Sequence, residues 1–331
     1  MSLLADIPFS LLELAPVRQG STVAATLAHS LDYARQAERL GFNRFWLAEH
    51  HNMEGIASAA TAVLIGHIAG GTERIRVGSG GIMLPNHAPL VVAEQFGTLD
   101  ALYPGRIDLG LGRAPGSDPV TSRALNRDPS RAEQFPEEVA ELQQLLGAPQ
   151  PGRAVRALPG EGSQVPIWLL GSSLFSAQLA AQRGLPYAFA GHFAPRFVYD
   201  AIRLYRSQFR PSAVLDKPYV MLGLPLVAAA NDDEAAFLAT SSLQRVLALM
   251  RGQPLWLKPP VQNMDGLWSE PEKASVQAFL GLAVQGGLAT IKARLEAIVQ
   301  ELEVDELMFT NDLFDQPKRL EALSILMSTK E

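Results

Sequence analysis

Two histidines stand side by side in "RFWLAEHHNMEG", residues 44–55, in a chain that has only six. An imidazole takes or gives a proton near neutral pH, which is the chemistry of a general acid–base group. Neighbouring side chains at the end of a strand point apart, so one of His50 and His51 can face a pocket while the other packs outside it. The pattern alone does not choose between them. The same divergence argues against a metal centre, and no HExxH or cysteine ligand set accompanies the pair, so no metal is expected.

Other segments carry groups that hold anions. "GLGRAPG" at 110–116 has GxGxxxG spacing, and Pro115 and Pro119 oppose the immediate helix that a dinucleotide fingerprint requires. What is left is a glycine-rich strand end followed by Arg113, which can grip a phosphate through two parallel hydrogen bonds or form an ordinary surface ion pair. "LLGSSLFSAQLAAQRG" at 169–184 sets Gly171, Ser172 and Ser173 at a strand-to-helix junction. Backbone N–H groups and a hydroxyl can hold an anion there, or a serine simply caps the helix. The glycines of "GSGG" at 78–81 either clear room for a planar ring against the backbone or mark a bulge. Together these features describe a phosphorylated ligand anchored by Arg113 and the serine pair, with a flat group reaching toward Gly80, Gly81 and the histidines. Flavin mononucleotide (FMN) fits that description.

These residues need a frame that brings them together. Short apolar runs alternate with longer segments of helical period, the mark of βα units with buried parallel strands. Eight candidate strands are legible, at 7–14, 44–50, 74–81, 106–112, 166–170, 186–190, 219–228 and 306–311. Between the first two, Leu27, Leu31, Ala34 and Leu40 share a helical face, and Gly41 follows as a C-terminal stop. Residues 87–103 repeat the pattern with Val92, Phe96, Leu99 and Tyr103 before Pro104-Gly105. The intervals 113–165 and 229–305 exceed what a crossover needs. The expectation is a (β/α)8 TIM barrel with insertions after strands 4 and 7, with an open doubly wound sheet as runner-up. In a barrel, Glu13, Glu49 to Asn52, Gly80-Gly81, Arg113, Ser172-Ser173, Gly191-His192 and Asn311-Asp312 all follow strands and converge on one mouth. No linker separates two self-sufficient cores, so residues 1–331 are expected to form a single domain.

Composition narrows the function classes. A 47% hydrophobic, 19% charged chain buries a core, and a net charge of -6 without basic runs disfavours nucleic acid and acidic membranes. The absence of cysteine removes disulfides and thiolate catalysis. No cationic leader and no apolar run of about 18 residues is visible, which makes a cytoplasmic enzyme acting on a small neutral or apolar substrate the expectation.

Three long blocks resemble the bacterial luciferase-like flavin-dependent monooxygenases, in that family's order and spacing. They are "WLAEHHNMEGIASAATAVLIGHIA", "IRVGSGGIMLPNHAPLVVAEQFGTLDALYPGRIDLGLGRAPGSD" and "VPIWLLGSSLFSAQLAAQRGLPYAFAGHF". The resemblance implies a (β/α)8 barrel that binds reduced FMN at the C-terminal ends of its strands. It makes His50 the catalytic histidine, Glu49 its partner from behind, and His51 structural. It places a non-prolyl cis peptide at Gly80-Gly81, phosphate contacts at Arg113 and Ser172-Ser173, a second phosphate arginine at Arg131 with Arg123 as competitor, and Ala190 to His192 at the ring border. It implies that reduced FMN and O2 form a C4a-(hydro)peroxide that oxygenates an organic substrate, with a separate NAD(P)H-flavin reductase supplying the flavin. A homodimer or homotetramer is expected and light emission is not. Apolar walls are expected from 113–135 and from 251–268, which holds Trp256 and Trp268. A deazaflavin-dependent dehydrogenase on the same barrel and a flavin-binding protein without turnover are the other readings.

Overall fold

In the computed structural model, which describes residues 3–114, 118–125 and 129–331, eight parallel strands close into a ring. They are β1 (Phe9–Glu13), β2 (Arg44–Leu47), β3 (Arg76–Met83), β4 (Ile107–Gly112), β5 (Ile167–Gly171), β6 (Tyr187–Phe189), β7 (Val220–Ala228) and β9 (Glu306–Thr310). Each pairs with the next, and β9 returns to β1 with Phe9 opposite Leu307 and Leu11 opposite Phe309. This is the expected TIM barrel, and its closure excludes the open sheet. A short ninth strand, β8 (Val284–Gly286), which the apolar pattern did not reveal, lies outside the ring and pairs with the end of β7.

The crossover helices begin and end where local chemistry requires. Helix α1 (Val23–Leu40) starts at Thr22, whose hydroxyl accepts the Ala25 N–H at 3.1 Å, and stops at Gly41, which takes a left-handed φ of 84°. Helix α2 (Thr61–Gly70) joins β2 to β3, and α3 (Pro89–Leu102) joins β3 to β4. The first insertion carries α4 (Pro119–Ala124) ahead of the crossover helix α5 (Phe135–Leu146). Pro115 and Gly116 of the glycine-rich segment lie outside the described residues. Helices α6 (Leu174–Arg183) and α7 (Val198–Gln208) follow β5 and β6. The second insertion holds α8 (Asp232–Met250) and α9 (Glu270–Phe279), before α10 (Leu288–Leu302) leads to β9 and α11 (Gln316–Ser328) closes the chain. Both insertions therefore stand where the long intervals placed them. Among the described residues no helix is long and apolar enough to cross a membrane.

Outward strand residues such as Phe9, Leu11, Phe45, Val77, Ile107, Leu109 and Phe309 are buried under the helices and form the main core. The ring's interior is filled differently. Leu12, Trp46, Ala48, Trp168, Ala188, Met221 and Met308 pack within it, with Trp46 and Trp168 edge to face at 5.2 Å. Beneath Trp168, whose ring carries the Arg44 guanidinium at 4.7 Å, lies a buried ionic layer. Arg44 pairs with Asp108 at 2.8 Å and Glu306 at 3.0 Å, Arg76 reaches Asp108 at 2.6 Å, and the Trp46 indole N–H donates to Asp108 at 3.1 Å. Removing one member would strand a buried charge, a loss on the order of 3–5 kcal/mol. With its lower end plugged, the barrel can open only at the C-terminal ends of its strands.

Candidate active site

A cavity of about 640 Å³ opens at that end. Its wall includes His50, Gly80, Gly81, Arg113, Ser172, Ser173 and Ala190, so seven of the eight expected site residues meet there from β2, β3, β4, β5 and β6. Arg131 does not reach it. Its guanidinium binds Glu138 of α5, with Nε to Oε1 at 3.1 Å, and donates to the His87 carbonyl at 2.8 Å. Its competitor Arg123 is exposed on α4 and is likewise absent from the wall.

Strand geometry resolves the histidine pair. The His50 N–H donates to the Ser58 carbonyl at 3.0 Å, and the imidazole of His50 stands on the cavity wall. Glu49 and His51, one residue either side, turn outward together as alternation requires. Glu49 consequently is not a hydrogen-bond partner of His50. Its buried carboxylate instead accepts from His51 Nε2 at 2.8 Å, His87 Nε2 at 2.8 Å and the Met83 N–H at 3.1 Å. Burial works to raise the Glu49 pKa, but the hydrogen bonds from His51 and His87 outweigh it and hold the group at about 2. Ligand atoms of Glu49, His51 and His87 lie within 4.8 Å of one another, near enough to hold an ion, yet hydrogen bonds among them already satisfy the carboxylate. The cluster ties the β2 loop to the end of β3. Glu13 similarly turns away from the mouth, accepting from Ser30 at 2.7 Å and from Arg319.

The Gly80-Gly81 peptide is cis, as the resemblance implied. A Cβ on Gly80 would come within 2.6 Å of Leu12 Cδ1 and 3.2 Å of Trp46 Cβ, and one on Gly81 within 2.6 Å of the Gly110 carbonyl oxygen. Close packing around the cavity floor therefore demands both glycines. On the next strands, Arg113 stacks its guanidinium 3.9 Å over the ring of Phe175 in the first turn of α6. Ser173 occupies the cap position of that helix, but its side chain makes no cap bond. A guanidinium, a spare hydroxyl and a helix N-terminus thus share one corner, which is the donor set a phosphate monoester needs.

Sequence reasoning missed part of the wall. Helix α8 lays Ala239, Ser242, Leu243, Val246 and Leu249 along the cavity at helical spacing, with Arg245 in the same stripe. Two residues that the strand ends did predict complete the polar part: Asp312, after β9, with its Oδ2 2.6 Å from Arg245 Nη1, and His192, after β6. The remainder is mainly apolar, with Met53, Ile56 and Leu255 among the contributors, and Ser176, Thr310 and Gln285 add uncharged polar groups. Segment 251–268 reaches the wall through Leu255, whereas Trp256 is not on it and Trp268 packs with Leu247, Met264 and Val276.

Burial, reinforced by the charge of Arg245, lowers the His50 pKa to about 4. Burial, reinforced by His50, lowers that of His192 to about 4 as well. Both rings are therefore neutral at pH 7. The unfolded chain, with histidines near 6.5, binds protons first on acidification. The stability held by the neutral rings is complete above about pH 6.5 and is lost as pH falls through the folded values. Urea midpoints should decline between pH 7 and pH 5, by up to a few kcal/mol in unfolding free energy, and less steeply in His192→Asn. A midpoint that is flat over this range would show that the rings are not held neutral.

Known proteins share this architecture. A family model described as luciferase-like monooxygenase matches residues 7–306. An Escherichia coli protein named luciferase-like monooxygenase is 53% identical over 326 residues, covering 98% of this chain and 97% of its own. The uncharacterized protein YvbT of Bacillus subtilis is 55% identical over 322 residues, covering 97% and 96%. The crystal structure of apo-MsnO8 superposes with a TM-score of 0.90 at 34% identity over 98% of each chain. The FMN complex of the oxygenating constituent of 3,6-diketocamphane monooxygenase from Pseudomonas putida, at 16% identity, shares the fold with a TM-score of 0.74 over 97% and 96% of the two chains. With its barrel and these matches along nearly its whole length, the chain belongs to the luciferase-like monooxygenase family of flavin-dependent oxidoreductases.

Proposed function

We propose that this chain, acting as one barrel domain, is the oxygenating component of a two-component FMN monooxygenase. A separate NAD(P)H-flavin reductase supplies reduced FMN, and the bound flavin supplies the oxygen chemistry, reacting with O2 to a C4a-peroxyflavin that oxygenates a small, mainly apolar substrate. The observation that carries this reading is the convergence of Arg113, stacked on the first turn of α6, with Ser172, Ser173, Gly80, Gly81 and His50 around one cavity. Arg113 and the serines hold the phosphate, the Gly80-Gly81 backbone and Ala190 border the ring, and His50 exchanges a proton at the reacting oxygen. Arg131 secures the His87 turn and Glu138 rather than the phosphate. The apolar wall keeps bulk water from the reactive flavin, and the second insertion contributes much of it through α8, Leu255 and Leu280, whereas segment 113–135, expected to build a wall, supplies only Arg113 and Ala114 among the described residues. A homodimer or homotetramer acting in the cytoplasm accompanies this reading.

Rapid mixing of the reduced FMN complex with oxygen tests it, with the expected result a transient C4a-peroxyflavin absorbance before reoxidation. Reoxidation no faster than that of free flavin, without the transient, would leave a flavin-binding protein that does not oxygenate. Tight binding of a deazaflavin with no binding of FMN would replace oxygenation by hydride transfer.

A further inference from the structure

Behind the cavity, the cluster of Glu49, His51 and His87 has a geometry that hydrogen bonding does not exhaust. Glu49 Oε1 meets His51 Nε2 and His87 Nε2, each at 2.8 Å, so two imidazoles aim the same ring nitrogen at one carboxylate oxygen. Oε2 accepts the Met83 N–H at 3.1 Å, which fixes the carboxylate from behind, as a supporting bond does for a metal ligand. The carboxylate is buried, whereas the two histidine side chains are 18% and 29% exposed, so the cluster reaches solvent on their side. None of the three residues lies on the cavity wall. His51 and His50 diverge, as adjacent strand residues do, but the fold brings His51 to His87 from the turn that follows β3.

Two imidazole nitrogens and one carboxylate oxygen are a ligand set for Zn2+ or a similar first-row transition ion, with water at the open position. Mg2+ and Ca2+ take oxygen ligands, of which the cluster offers one carboxylate. Ligands roughly 2.0–2.2 Å from a tetrahedral ion stand about 3.4 Å from one another, so each 2.8 Å pair needs to part by only about half an ångström. All the ligand atoms already lie within 4.8 Å of one another. Each ring becomes a ligand by carrying its proton on Nδ1 instead of Nε2, which leaves it neutral. The nearby guanidinium of Arg131, bonded to the His87 carbonyl, is offset by Glu138 and does not repel a cation unopposed.

We propose that Glu49, His51 and His87 form a site for one Zn2+ or similar transition-metal ion, which clasps the β2 loop carrying His50 to the turn after β3. The site goes beyond the flavin chemistry and does not depend on it.

Calorimetric titration of the full chain, freed of metal by a chelator, with zinc chloride tests the site. One ion per chain is expected, with Mg2+ binding far more weakly. His51→Ala and His87→Asn are each expected to weaken Zn2+ by about 10–100-fold or more, since a lost ligand costs at least as much as a lost supporting bond. Asparagine keeps an N–H donor for Glu49, so His87→Asn preserves the hydrogen bond while giving up the imidazole. His67→Ala, a change on the exposed side of α2, is expected to leave Zn2+ affinity as it is. Bound Zn2+ should raise the melting temperature of the wild type but not of His87→Asn, and should leave FMN affinity unchanged. Absence of Zn2+ binding at millimolar concentration, or Mg2+ binding as tightly as Zn2+, overturns the proposal whether or not a variant folds. Zn2+ affinity that survives in folded His87→Asn, or that falls in His67→Ala, marks an adventitious ion only and overturns it. So does competition between Zn2+ and FMN, which would put the ion in the cavity.

Discussion

His50→Ala should retain FMN binding and turn over about 10²–10⁴-fold more slowly than wild type, the usual loss when a general acid–base group is removed. The backbone of His50 is fixed by the Ser58 carbonyl, a contact that alanine keeps, so the β2 loop has no reason to move. What alanine removes is the imidazole on the cavity wall, with its unpartnered Nδ1. A ring whose pKa has been lowered to about 4 is a proton acceptor, or a neutral N–H donor, at pH 7, and cannot serve as a standing reservoir of positive charge. On the proposed reading the lost step is proton exchange at the reacting oxygen, and the corner at Arg113 and Ser173 is untouched. Flavin titration gives the binding half of the expectation. Product formed per second at saturating reduced FMN, with a substrate that the wild type converts, gives the other. Turnover within a factor of about three of wild type would remove His50 from the chemistry, since a positioned acid–base group contributes far more than that.

The histidine could be assigned to this role only because the barrel was already legible. Strands buried on both faces read as apolar runs, and runs such as 44–50 and 106–112 are bounded by glycine, proline or polar residues that leave little freedom in their placement. β8 escaped notice because "VQG" is three residues with an exposed glutamine at its centre, too short to set a period. Convergence at the strand ends follows from topology, which is why Arg113, Ser172, Ser173 and Ala190 reach one wall although they span nearly 80 residues of sequence. Side-chain direction does not follow so easily. Glu13 and Glu49 stand at strand ends, yet alternation turns both outward, where Arg319 and a pair of histidines satisfy them. Arg245 was hidden for the opposite reason. An arginine among leucines on a helix reads as a solvated edge, and only the folding of α8 across the barrel mouth buries it beside Asp312. The visible hint is a single cation inside the apolar stripe from Ala239 to Leu249, which deserves notice whenever a helix belongs to an insertion near a barrel mouth. Arg131 stands off the cavity wall because Glu138 of α5 and the His87 carbonyl hold its guanidinium, partners that the spacing of the sequence did not reveal.

Arg113→Ala should weaken FMN by roughly 10–100-fold and riboflavin by much less, because only FMN carries the phosphate. The estimate is that of one charged hydrogen-bonding partner, about 1.5–3 kcal/mol. Several features favour the upper part of that range. Stacking at 3.9 Å on Phe175 holds the guanidinium plane against the first turn of α6, so little side-chain freedom remains to be lost on binding. Ser173 leaves its hydroxyl free of a cap bond, and the N-terminus of α6 adds a favourable dipole for an anion. Alanine removes the stacking partner as well as the charge, so Arg113→Lys is the sharper comparison: it keeps a cation but not the planar fork, and should fall between wild type and alanine. Raising salt should narrow the gap between FMN and riboflavin in the wild type, as expected for a partly exposed ion pair. Equal losses for both ligands would place the phosphate elsewhere on the wall. The family fold would survive that result, but the orientation of the flavin, and with it the role given to His50, would not.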